Sequence, residues 1–139
     1  MNDFAFENLM LGQQVEHEYV ITGEVYKHFL AAFCDVSPIH VDDAFAQKLG
    51  FPGKVMHGSI LNGFISHFVG VVMPGKRALL HSVAVEFHAP VFLEDRILIQ
   101  AQVAQKVQSL RLIVLNLTLR NTIRNEIAAN AKVQVGFTS

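Results

Sequence analysis

Hydrophobic and polar residues alternate with a period of two along most of the second half of the chain, which is typical of strands with one buried face. Three short polar breaks, at Glu94-Asp95, Gln108-Ser109 and Arg124-Asn125, divide the alternation into four runs. The positions predicted to share the inner face are Val83, Val85 and Phe87, then Ile97, Ile99, Ala101 and Val103, then Ile113, Leu115, Leu117 and Leu119, and last Ile127, Ala129, Ala131, Val133, Val135 and Phe137. Because short breaks join antiparallel neighbours, the pattern predicts a four-stranded meander.

The first half of the chain predicts one further strand and two short helices. Alternation from Val15 to Ile21 indicates the strand. Thr22 is suited to cap the N-terminus of the first helix, and Asp42 that of the second. Gly50 follows the second helix and is expected to end it.

The segment from His57 to Met73 carries no charged residue. A membrane-spanning helix needs about 20 strongly apolar residues, whereas this segment is shorter and contains Asn62, two serines and three glycines. The segment therefore predicts a helix buried in a protein core, and a membrane is not expected as a partner. Since that helix has no polar face, the strands are expected to surround it. The order of elements predicts an α+β hotdog fold, a long central helix wrapped by a curved antiparallel sheet, in one domain over residues 1–139.

Composition and charge narrow the possible functions. Hydrophobic residues make up 51% of the 139 positions and charged residues 17%, which indicates a large core or an oligomer interface. The net charge is −1, and without a cluster of Lys and Arg a nucleic-acid partner is not expected. A single cysteine, Cys34, excludes an internal disulfide and fits a reducing compartment. With no secretion signal visible, the expected location is cytoplasmic.

Asp35 and His40 are the residues whose chemistry stands out. Pro38 lies between them and is expected to prevent a helix, so that a loop can direct both side chains into one cavity. One carboxyl and one imidazole suit the hydration of a double bond, in which one group takes a proton from water and the other gives one to carbon. Two structural alternatives remain open: Asp35 as a turn former before Ser37-Pro38, and His40 as a buried structural histidine.

Segment 35–40, DVSPIH, together with Asp42, Ala46 and the pair His57-Gly58, resembles the signature of the MaoC-like (R)-specific enoyl-CoA hydratases. The resemblance extends from about Leu11 to Phe137. The family pattern is Asp, any residue, Asn, Pro, an aliphatic residue and His, and both its Asp and its His are present.

Two positions depart from the family. Ser37 stands where the family has Asn, and Gly63 stands where some relatives have a serine in the central helix. Ser37 keeps a hydrogen-bonding oxygen but lacks the amide. Ser59 or Asn62 could take over the role of the missing helix serine.

The resemblance implies a trans-2-enoyl thioester of coenzyme A or of acyl carrier protein as the substrate. His40 would activate a water and Asp35 would deliver a proton to C2, giving an (R)-3-hydroxyacyl thioester. Ser37, His57, Gly58 and Ser59 would bind the substrate, the helix start meeting the thioester carbonyl through backbone N–H groups. For His57, an alternative is a helix-start residue bonded to a loop carbonyl.

An acid role at neutral pH requires a raised pKa for Asp35, which the apolar residues Phe33, Val36 and Ile39 could cause by desolvation. Neither a cofactor nor a metal is expected, because the histidines and Cys34 form no ligand pattern. The family implies a homodimer, or a dimer of dimers or trimer of dimers, with the acyl tunnel near the interface. A hotdog acyl-CoA thioesterase and a non-catalytic acyl-CoA-binding module are the rival interpretations.

Overall fold

The computed structural model describes residues 1–139, which form a five-stranded antiparallel sheet and four helices. The strands are β1 (Gln14–Val20), β2 (Ala78–Phe87), β3 (Arg96–Val107), β4 (Leu112–Asn121) and β5 (Glu126–Phe137). The helices are α1 (Gly23–Phe33), α2 (Pro38–Val41), α3 (Asp43–Lys48) and α4 (Ser59–His67), and a π-helical turn, Phe68–Val72, continues α4. The predicted α+β class, with five strands and a central helix, is confirmed.

The strand order is β1-β3-β4-β5-β2, so the predicted four-stranded meander is wrong at one end. Only β3, β4 and β5 follow one another in space, while β2 pairs with β5 and β1 pairs with β3. Residues 88–95 connect β2, at one edge of the sheet, to β3, which lies next to the opposite edge. This connection is anchored near β3 by Asp95. Asp95 there accepts hydrogen bonds from the Phe92 backbone (2.9 Å), Asn121 (2.8 Å) and Arg124 (3.0 Å).

The predicted inner faces of β3 and β4 are buried, and so is most of that of β5. Ile97, Ile99, Ile113 and Leu115, for example, are fully inaccessible to solvent. Ile127 is the exception, at 37% exposure, because the register of β5 against β4 shifts near that end. Helix α4 lies on this face of the sheet with its apolar side chains buried. Its buried residues are Ile60, Leu61, Phe64 and Ile65.

The sheet packs against the central helix as predicted, but it leaves one side of that helix uncovered in the single chain. One side of α4 is exposed, along Ser59, Asn62, Gly63, Ser66 and His67. The neighbouring edge strand β2 is also open, and its predicted inner residues Val83 and Phe87 remain 38% and 52% exposed. An open groove of about 420 Å³ lies between α4 and β2. No helix of the chain has the length and hydrophobicity needed to cross a membrane.

The two predicted N-caps are confirmed. Thr22 Oγ1 accepts from the Val25 backbone N–H and Asp42 Oδ1 from that of Phe45, both at 3.1 Å. Gly50 follows α3 with a φ of +95°, as expected for a residue that ends a helix. The expectation that Pro38 prevents a helix is wrong. Pro38 is the first residue of α2, where its lack of an N–H costs no hydrogen bond.

Candidate active site

Asp35 and His40 come together at the junction of α1 and α2. Cys34 ends α1 in a left-handed conformation (φ 55°), which turns the chain so that Asp35 lies in a short loop before α2. His40 is on α2, and its Nε2 atom is 3.8 Å from Asp35 Oδ2. The hydroxyl of Tyr26 on α1 donates to the main-chain oxygen of His40 at 2.7 Å and so holds α2 in place. The predicted convergence of the two side chains is therefore observed, on a helical turn instead of an irregular loop.

The imidazole of His40 is oriented by the main chain. Its Nδ1 atom lies 2.7 Å from the carbonyl oxygen of Val55. Because a carbonyl oxygen only accepts, Nδ1 carries the hydrogen and the Nε2 of the neutral ring keeps a lone pair. That lone pair is on the side of Asp35, where it can receive a proton.

The carboxylate of Asp35 has a lowered pKa, contrary to the expected rise. The main cause is the hydroxyl of Ser37, which donates to Asp35 Oδ1 at 2.8 Å, followed by the Ser37 backbone N–H at 3.2 Å. Desolvation is weak because Phe33 and Val36, expected to bury the carboxyl, are themselves 70% and 64% exposed. Asp35 is thus a carboxylate at neutral pH, and the hydroxyl of Ser37 acts on it directly.

His57 is buried at the start of α4, and its Nε2 atom lies 2.8 Å from the main-chain oxygen of Asp35. The alternative interpretation of His57, a helix-start residue bonded to a loop carbonyl, is confirmed. The backbone N–H groups of Gly58 and Ser59 in this first turn donate to no other group of the chain. They are available to an external acceptor.

Each member of the pair lines a cleft of its own. One, of about 360 Å³, is lined by His40, Gly58 and Phe87 among others. The other, of about 510 Å³, is lined by Asp35 and Ser59 together with aromatic residues of α1. A substrate reaching into both clefts would place its reacting atoms between the carboxylate and the imidazole.

Asp35, His40 and His57 offer ligand atoms that lie within 4.8 Å of one another. That spacing could hold a cation, although the sequence predicted no metal. Two of the four ring nitrogens are already bonded to carbonyl oxygens, those of Val55 and Asp35. The remaining free atoms include His40 Nε2 and Asp35 Oδ2, which equally suit proton transfer.

Sequence reasoning missed three contributors to the site. Val55 acts through its carbonyl oxygen, so its side-chain type carries no signal. Tyr26 acts through its hydroxyl on an amphipathic helix, where a tyrosine is ordinarily interpreted as packing. Phe87 was assigned to a buried face of β2, whereas its ring lies against Gly58.

Comparison with known proteins assigns the family and the fold. The protein-family model described as MaoC like domain matches residues 7–124 of the chain. An (R)-specific enoyl-CoA hydratase of Rhodospirillum rubrum is 30% identical over 92 residues, which is 66% of this chain and 64% of that protein. The enzyme of the same description from Aeromonas caviae is 28% identical over 97 residues, covering 70% of this chain and 72% of that one.

Solved structures show the same architecture. R-hydratase PhaJ1 of Pseudomonas aeruginosa, without ligand, superimposes with a TM-score of 0.89 at 21% identity, covering 97% of this chain and 86% of that chain. The (R)-hydratase of A. caviae gives a TM-score of 0.86 at 23% identity, covering 94% and 98%. These likenesses confirm the hotdog fold. With the family model matching most of its length, the chain belongs to the MaoC-like domain family.

Proposed function

We propose that this chain is a hydro-lyase that reversibly adds water to a trans-2-enoyl thioester and forms the (R)-3-hydroxyacyl thioester. The observation that carries the proposal is the 3.8 Å separation of Asp35 Oδ2 and His40 Nε2, with the tautomer of His40 set by the Val55 carbonyl. Relatives described as (R)-specific enoyl-CoA hydratase and 3-hydroxybutyryl-CoA dehydratase support the reaction class. We assign the catalytic roles to Asp35 and His40.

A single water can contact both groups. At 3.8 Å the two atoms are too far apart for a direct hydrogen bond. A water about 2.8 Å from each atom would form the apex of a triangle and donate to both. Since Asp35 is ionised, it orients this water and has no proton of its own to give.

The proton balance follows from these states. His40 Nε2 takes one proton from the water while the oxygen bonds to C3 and the π electrons move onto the thioester oxygen. His40, now protonated, then gives that proton to C2 on the same face. This step restores the thioester carbonyl. The proton that reaches C2 is thus the one that the water gave up.

The start of α4 is suited to the charge that develops on the thioester oxygen. We assign carbonyl binding to the backbone N–H groups around His57, Gly58 and Ser59, of which those of Gly58 and Ser59 have no acceptor within the chain. The positive end of the helix dipole adds to their effect. Ser37 contributes to substrate binding through the Asp35 carboxylate that it holds.

The proposed substrate carrier is coenzyme A or acyl carrier protein. A relative described as a mitochondrial 3-hydroxyacyl-[acyl-carrier-protein] dehydratase, from Arabidopsis thaliana, supports the second carrier. Both carriers end in the same thioester arm, so the site chemistry is common to them. We propose that residues 1–139 act as one domain, need no cofactor or metal, and work in the cytoplasm, a reducing compartment that suits the free Cys34.

A homodimer would cover the open side of the fold. The exposed side of α4 and the unpaired edge strand β2 border the same groove. Leu79, Leu80 and Val83 on β2 are 38% to 53% exposed. An apolar unpaired edge of this kind is normally paired or covered. A second copy placed there would also enclose the exposed Asp35, and dimers could assemble further into pairs or trimers of dimers.

Turnover of crotonyl-CoA tests the proposal. We expect the enoyl absorbance to fall with no release of free thiol, and chiral analysis to give the R product, both with and without prior treatment with EDTA. Release of thiol would instead indicate a hotdog thioesterase. Tight binding without turnover across enoyl-CoAs of four to twelve carbons would indicate a binding module and would refute the hydratase.

A further inference from the structure

His57 contacts both members of the catalytic pair. It is only 2% exposed, and its Nε2 lies 2.8 Å from the main-chain oxygen of Asp35, 22 positions earlier in the chain. Its ring stacks on that of His40 with centroids 4.1 Å apart and planes inclined by 29°. Phe29 also contacts the ring of His57, with a centroid distance of 4.8 Å.

The hydrogen bonding of His57 is one-sided. Since the Asp35 carbonyl only accepts, the hydrogen of the neutral ring is on Nε2. The opposite nitrogen, Nδ1, is buried without any hydrogen-bond partner. Packing alone does not explain this arrangement, because a phenyl ring would fill similar space without burying an unpaired nitrogen. What the imidazole adds is the Nε2–H bond to Asp35.

A three-residue stretch, Val55 to His57, holds both halves of the pair. The carbonyl of Val55 accepts from His40 Nδ1 at 2.7 Å, and the Val55 N–H donates to Ile39 of α2 at 2.9 Å. Two residues later, His57 holds the main chain of Asp35. The 3.8 Å separation of the reactive atoms is therefore set from one short segment at the start of α4.

We propose that His57 is a positioning residue for hydration, a role that rests on the function proposed above. Its Nε2–H holds the main chain of Asp35, and its ring fixes the plane of His40, so that one water touches both reactive atoms. The side chain is buried behind the pair and acts through it, without contacting the substrate. A shift of the order of 1 Å in such a pair is enough to slow a reaction by about a hundredfold.

Two variants of similar length separate positioning from packing. In His57→Gln the terminal amide can donate to the Asp35 carbonyl, whereas His57→Met fills comparable space without a donor. We expect kcat of His57→Met to fall about a hundredfold, with KM within about threefold of the wild type. The kcat of His57→Gln should be at least about tenfold higher than that of His57→Met, since glutamine keeps the donor. Ile113→Val, a fully buried substitution in β4 away from the site, is the control for packing and should leave kcat nearly unchanged.

Equal kcat values for the Gln and Met variants would overturn the proposal, and so would a rise in KM at unchanged kcat. Nitrogen-15 spectra of histidine-labelled wild-type protein give a second test that needs no variant. We expect His57 to carry its hydrogen on Nε2, and a hydrogen on Nδ1 would overturn the proposal. If the wild type turned over no enoyl thioester, the proposed function would fail, while the spectra would still test the bond to Asp35.

Discussion

Ser37 Oγ lies 2.8 Å from Asp35 Oδ1 and donates a hydrogen bond to it. The backbone N–H of the same serine adds a second bond at 3.2 Å. Both bonds favour the ionised carboxyl and hold the pKa of Asp35 below its ordinary value. Ser37, one of the two positions that depart from the family pattern, therefore helps to keep Asp35 ionised.

Ser37→Ala should shift the acid side of the pH–rate profile. The pKa of Asp35 is lowered, so activity that needs the carboxylate is lost only as pH falls through this lowered value. Removing the hydroxyl raises that pKa, and the loss of kcat/KM should begin at a higher pH. Ser37→Thr keeps a hydroxyl and serves as the control. An unmoved acid limb in Ser37→Ala, or an equal shift in Ser37→Thr, would contradict the assignment.

Asp35→Asn and His40→Ala should each lower kcat by about a thousandfold, because the first removes the carboxylate that orients the water and the second removes the imidazole that takes its proton. Circular dichroism should show that both variants stay folded, since Asp35 is half-exposed and the His40 ring makes one hydrogen bond. Asp42→Asn, which retains the N-cap of α3, and His28→Ala, at an exposed site, are matched controls. Near-normal activity in either catalytic variant would refute the pair.

Gly58→Ala should narrow the cleft that is lined by His40 and Phe87. A Cβ at position 58 would lie 3.2 Å from the ring of Phe87, which must move aside. We expect kcat/KM to fall by about tenfold, the scale of one methyl group in a binding site. Gly70→Ala, in the π-helical turn that continues α4, meets no atom within 4 Å and is the control. Phe87→Ala combined with Gly58→Ala should restore part of the loss, and failure to do so would place the effect elsewhere.

Val83→Arg should dissociate the proposed homodimer. Val83 is 38% exposed on the open edge strand β2, and a buried arginine without a partner is strongly unfavourable at an interface. Sedimentation should show a dimer for the wild type and a monomer for the variant at micromolar concentration. Gln14→Arg, on the opposite edge strand β1, should remain dimeric. A monomeric wild type, or a dimeric Val83→Arg, would rule out this interface.

Asp95→Ala should destabilise the fold without altering the reacting groups. The carboxylate accepts from the Phe92 backbone, Asn121 and Arg124, and its side chain is 3% exposed. Its removal leaves two buried donors unpaired, the Phe92 backbone N–H and the Asn121 amide. This loss costs about 3 kcal/mol in the free energy of unfolding. Urea denaturation measures this loss, with Glu94→Gln at an exposed neighbouring position as the control. A loss below about 1 kcal/mol would show that water replaces the carboxylate.

The sequence by itself determined the features that depend on neighbouring positions. Alternation predicted the buried faces of β3 and β4, and the residue types of Thr22 and Asp42 predicted both caps. The spacing and surrounding motif of Asp35 and His40 predicted that they converge. Each of these rests on interactions within a few residues, where local geometry limits the possible arrangements.

The tertiary structure alone decided which strands pair and how the site is held. Backbone hydrogen bonds between strands are nearly alike for any partner, so alternation could not place β2 beside β5 instead of β3. The bonds from Val55 to His40 and from His57 to Asp35 join residues 15 and 22 positions apart through main-chain carbonyls, which no side-chain pattern records. The direction of the Asp35 pKa likewise depended on solvent exposure and on the path of the chain around Ser37, because the same residues would give a raised pKa in a buried loop.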